Sequence, residues 1–186
     1  MATVAEPPSA DEARSGEAEG RPAARPRAVR SQTLVSAAAL AVAAGVIHAV
    51  AMVDHFDHYW LYGVFFLVVT YAQVLWGIWV YRHAPNPRVL VAGGVGSLAV
   101  VAVWVVSRTV GVPVGPETWD PERIGAMDIM ATLDQLVLAA LVVALVAPEG
   151  RVGARLTGLM GGHAVRIAIM LCSASLFSLL LGSHAH

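Results

Sequence analysis

Apolar and polar positions in this chain do not alternate. They segregate into long apolar runs separated by short polar joints. The runs cover about 34–53, 59–81, 89–106, 124–147 and 165–182. At about 1.5 Å per residue, each is long enough to cross roughly 30 Å of hydrocarbon as a helix. A backbone in lipid must satisfy its own hydrogen bonds, which selects helices for such runs. The pattern therefore predicts an all-α fold: a polytopic membrane helix bundle of five transmembrane helices.

The joints carry the breakers this reading needs. Pro85, Asn86 and Pro87 lie between the second and third runs, and Pro148, Glu149 and Gly150 end the fourth. Residues 107–123 hold Pro113, Pro116 and Pro121 with three acids, too polar for lipid, and read as the longest ordered loop. Residues 1–32 mix Pro, Ala, Glu and Arg with almost no large apolar side chain and read as a disordered cytoplasmic tail. Its acids and the full-length run after it argue against a cleaved signal peptide. The division expected is a tail (1–32), a five-helix transmembrane domain (33–183) and a His-containing C-terminal end (184–186).

Composition agrees, with 57% hydrophobic and 13% charged residues among 186. All twelve basic residues are arginine and the formal net charge is -1, so the footprint of a nucleic-acid binder is missing. The lipid bilayer is the expected partner, with a membrane protein or a second copy as a further one. Small-residue stripes such as Ala37, Ala41 and Gly45 would let helices approach closely. The single cysteine, Cys172, reads as a packing residue. Five tail arginines with Arg82, Arg88, Arg151 and Arg155 oppose Arg108 and Arg123 across the spans. The positive-inside rule then predicts a plasma-membrane protein with its N-terminus in and its C-terminus out.

Candidate chemistry gathers where the first run ends, in IHAVAMVDHFDHYW. His48, Met52 and His55 share a face through i+4 and i+7 spacing, and Asp54 and His58 form an i+4 pair. Imidazole and carboxylate suit zinc, nickel, copper(II) or iron, so His48, Asp54, His55 and His58 are a candidate site for a divalent transition metal. The alternative is that His55 and His58 cap the helix and the aspartates pair locally. His184 and His186 read as adventitious ligands.

Gly45, His48, Asp54 and His55 in GVIHAVAMVDH resemble the signature helix of the HupE and UreJ type of membrane nickel permeases. The resemblance covers those eleven residues. Ala49 and Met52 stand where that signature has a proline and a glycine. Nickel transport is what the resemblance implies.

The fourth run carries Asp128 about one turn from the outer end and Asp134 near the midplane. A midplane carboxylate costs a few kcal/mol, so it belongs inside a bundle with a partner or a proton. Asp134, Asp128 and Gln73 are candidate members of an intramembrane polar or proton relay. A structural hydrogen bond from Asp134 to Gln73 or Thr70 is the competing account. Arg108, on the side where arginine is disfavoured, calls for an ion pair with Asp54, Asp57 or Asp128, and Arg166 reads as snorkelling to the inner interface.

Three function classes remain open. A transporter or metal-handling protein would capture its ion at the outer His/Asp cluster and relay through His48 and Asp134. A non-catalytic accessory or structural subunit would use the small-residue stripes. A membrane-embedded metal or haem redox enzyme would use the histidines as ligands.

Overall fold

The computed structural model describes residues 24–83, 85–147 and 163–177, and these form helices and loops without strands. The helices are α1 (Ala24–His58), α2 (Trp60–Arg82), α3 (Pro87–Thr109), α4 (Ala126–Val146) and α5 (His163–Phe177). The first four are long and apolar enough to cross a membrane. Of the fifth expected span, residues 178–182 lie outside the described residues, as do 1–23 and the C-terminal end 184–186.

The first helix departs most from expectation, because residues 24–32, assigned to the tail, are helical. Ala and Arg are strong helix formers, and Pro26 falls in the first turn, where its missing N–H costs nothing. Over 35 residues α1 is about 50 Å long, more than the hydrocarbon needs. Its basic end is used, since the Arg30 guanidinium donates to Leu145 O at the C-terminal end of α4 at 3.0 Å. Thr33 and Ser36 donate to the carbonyls of Val29 and Gln32, which satisfies two buried hydroxyls inside the helix itself.

The elements run up and down. One extended residue, Tyr59, separates α1 from α2 and is enough to reverse the chain. The two helices close on each other at Gly77, where a Cβ would sit 2.9 Å from Ala38 O. Asn86 caps α3, its side chain accepting from the Val89 amide at 3.0 Å, with Pro87 in the first turn. Trp76 ties α2 to that same turn by donating to Val89 O at 2.8 Å. A buried cluster of Ala37, Leu40, Ala41, Leu138, Leu141, Leu145, Ala164 and Ala168 joins α1, α4 and α5. On α3, by contrast, Val91, Val95, Leu98, Val103, Val105 and Val106 all point out of the bundle. Large apolar side chains exposed along a helix of this length are expected where the solvent is hydrocarbon.

The two ends differ in charge. One carries Arg27, Arg30, Arg82, Arg88 and Arg166 with no acid among the described residues. The other carries Asp54, Asp57, Glu117, Asp120, Glu122 and Asp128 with Arg108 and Arg123.

Candidate functional site

The polar residues within the spans form two layers. The deeper one lies where α1, α4 and α5 meet. Asp134 is wholly buried and accepts from Ser175 Oγ at 2.9 Å through Oδ2, while Oδ1 is buried without a hydrogen-bond partner. On the next α4 position Gln135 turns to α1, its side-chain nitrogen 3.2 Å from His48 Nε2. The contact is satisfied by the amide donating to an unprotonated Nε2 or, with the amide turned over, by Nε2–H donating to Oε1. About one turn along α1, Gly45 lies against Gln73 and the carbonyl of Thr70, and Gln73 Oε1 and Thr70 Oγ1 are themselves buried without partners. Four helices thus place polar side chains within a narrow band of the bundle.

The shallower layer closes the acidic end. Arg108, at the end of α3, binds Asp128 Oδ2 at 2.8 Å and also pairs with Glu122 from the loop. Asp128 Oδ2 in turn accepts from the Gly125 amide at 2.8 Å, fixing the first turn of α4. Residues 110–125 fold over the start of α2, where Tyr62 donates to Val114 O. Gly115 is required there, because its φ of 95° favours glycine and a Cβ would collide with the Tyr62 hydroxyl.

This geometry redraws the expected metal site. Among the described residues no three His, Cys, Asp or Glu side chains come together to hold a metal ion. His48 and His55 do share a face, but the Phe66 ring packs against both imidazoles, with centroids 5.5 and 4.1 Å away. His55 Nδ1–H donates to Ala51 O at 2.7 Å, and His58 stacks on Tyr62 with Nε2 3.9 Å from Glu117. Asp54 and Asp57 face outward. Among the described residues, His48, Asp54, His55 and His58 are thus not gathered around one point.

The relay assignment is also redistributed. Asp134 is buried as expected, but its partner is Ser175 on α5 rather than Gln73 or Thr70. Asp128 is held in the Arg108 ion pair at the rim. Glu122 and Gln135 had no assigned partner in the sequence. In the sequence Glu122 is one acid of a proline-rich loop, and nothing there gives Gln135 a partner on α1.

No protein-family model, curated protein or solved structure matches the chain. The likeness of residues 45–55 to nickel permeases rests on those residues alone.

Proposed function

We propose that this chain is a plasma-membrane transport protein that moves protons through its helix bundle, with Asp134 as the group that takes up and releases them. The observation that carries the reading is the Asp134 carboxyl: wholly buried, one oxygen held by Ser175, the other without a partner. An ionisable group at this depth is costly. A purely structural role needs only the oxygen that Ser175 already holds, which leaves Oδ1 as the atom available to a proton. His48, joined to the adjacent Gln135, supplies a second proton-exchanging group in the same layer. Metal capture has no part in this reading, because the outer donors diverge, and His48 faces an amide rather than a second imidazole. The basic end is assigned to the cytoplasm by the positive-inside rule, which puts residues 110–125 outside. A role as an accessory subunit draws on one observation, the outward face of α3, where Gly96 meets open space.

The test is proton flux into liposomes carrying the purified full chain and an internal pH dye, driven by a valinomycin-clamped potassium potential. Wild-type vesicles should acidify faster than protein-free ones, and Asp134→Asn should remove the difference at unchanged protein yield. Wild-type flux no faster than that of empty vesicles overturns the proposal and leaves the accessory reading.

A further inference from the structure

A cavity of about 550 Å³ opens between α1, α2 and α5 in the half of the bundle nearest the basic end. Its α1 wall runs from Val35 through Ala38, Ala39 and Val42 to Ala43, its α2 wall from Gly77 to Arg82, and Cys172 of α5 adds to the lining. The groove exists because the residues along it are small. Gly77 brings α2 against Ala38, and alanines on α1 leave the space beside that contact unfilled.

Three features define what fits. From Val35 to Ala43 the groove extends about 12 Å along α1, close to the depth of one leaflet of a hydrocarbon core about 30 Å thick. The lining is apolar except at one end, where Arg82 stands beside Tyr81. Among the described residues the Arg82 guanidinium has no carboxylate in reach, since the ion pairs there are His58–Glu117, Arg108–Glu122 and Arg108–Asp128, all at the acidic end. A cation at the interface above a leaflet-deep apolar slot matches the chemistry of a phospholipid with a negative headgroup. Tyr81 is placed as an interfacial ring commonly is.

We propose that this groove seats one acyl chain of an anionic phospholipid from the leaflet at the basic end, with its phosphate on Arg82. The chain lies along Val35, Ala39 and Ala43, and the seat is independent of the proton path, since Asp134 and His48 do not line it.

Native mass spectrometry of the purified full chain in mild detergent, titrated with dioleoyl-phosphatidylglycerol or dioleoyl-phosphatidylcholine, tests this. One phosphatidylglycerol should bind more tightly than the rest and more tightly than phosphatidylcholine. Arg82→Gln should weaken that first binding about fivefold, the size expected of one basic residue near an anionic surface. Arg88→Gln, at the same end but outside the groove, should leave it unchanged. Ala39→Phe, a change at an exposed wall position, should abolish the tight site with Arg82 intact and the thermal unfolding of the chain unchanged. Equal binding of the two lipids, or equal losses from Arg82→Gln and Arg88→Gln, overturns the proposal. So does a dimer that forms without lipid and is broken by Ala39→Phe, which would make a second copy the occupant.

Discussion

Ser175 Oγ donates to Asp134 Oδ2 at 2.9 Å and so fastens α5 to α4 across a surface otherwise made of Ala164, Ala168, Leu141 and Leu145. Apolar helix surfaces can rotate past one another in lipid with little change in transfer free energy, because the tails are as apolar as leucine. A directional bond of this kind favours one rotation. In this protein the group that positions α5 is also the group proposed to carry the proton.

These two roles separate by substitution. Asp134→Asn keeps an oxygen that accepts from Ser175, and its thermal unfolding in detergent should stay within about 0.5 kcal/mol of wild type. Asp134→Leu removes the acceptor and should cost roughly 1 kcal/mol, the usual worth of a buried hydrogen bond between spans. Equal stability of the Leu and Asn variants would mean that the Ser175 bond contributes nothing to the fold.

Arg108 presents the opposite balance, a cation held by two acids at the rim. Its side chain is only 9% exposed, while Asp128 and Glu122 are about one-third exposed. Arg108→Gln should destabilise the protein by roughly 2 kcal/mol, between the worth of a surface pair and that of a buried one. The loss should be local as well. Glu122 donates its amide to Ser107 O at 3.0 Å, and hydrogen exchange at that amide should accelerate at least tenfold. Arg108→Lys should fall in between, because a single ammonium does not reproduce a fork that serves two carboxylates. Unchanged exchange at Glu122 in Arg108→Gln would show that the loop is held by other contacts, such as Tyr62 with Val114.

The helices were legible in the sequence because a bilayer imposes a length on every span, and runs such as 59–81 and 89–106 meet it without interruption. Their ends were less legible, since nothing in residues 24–32 distinguishes a tail rich in Ala and Arg from two and a half more turns of helix. The Arg108–Asp128 pair could be read in advance because an arginine on the disfavoured side needs an acid. Ser175 could not, because Ser173 and Ser175 stand close together in the fifth run and the pattern does not reveal which of them meets α4. The separation of the metal-ligand candidates was hidden for a related reason. Spacing along α1 put His48 and His55 on one face correctly, but spacing says nothing of Phe66, which α2 delivers onto that face.

Orientation is the remaining expectation, and the charge asymmetry between the two ends makes it specific. Described arginines without acids cluster where α2 meets α3, and the acidic loop lies where α3 meets α4. Translocating arginine is disfavoured, so the turn at Asn86 should face the cytoplasm and the loop at Thr118 should face outward. Both residues are exposed, so a cysteine at either is open to reagent. In a Cys172→Ala background, which removes the single native thiol, an impermeant maleimide added to intact cells should label Thr118→Cys. Asn86→Cys should label only after the membrane is opened. Because the two sites lie at opposite ends of α3, one experiment reads both signs. Labelling of Asn86→Cys on intact cells with Thr118→Cys protected would invert the map, put Arg82 and its groove in the outer leaflet, and reverse the side from which Asp134 is loaded.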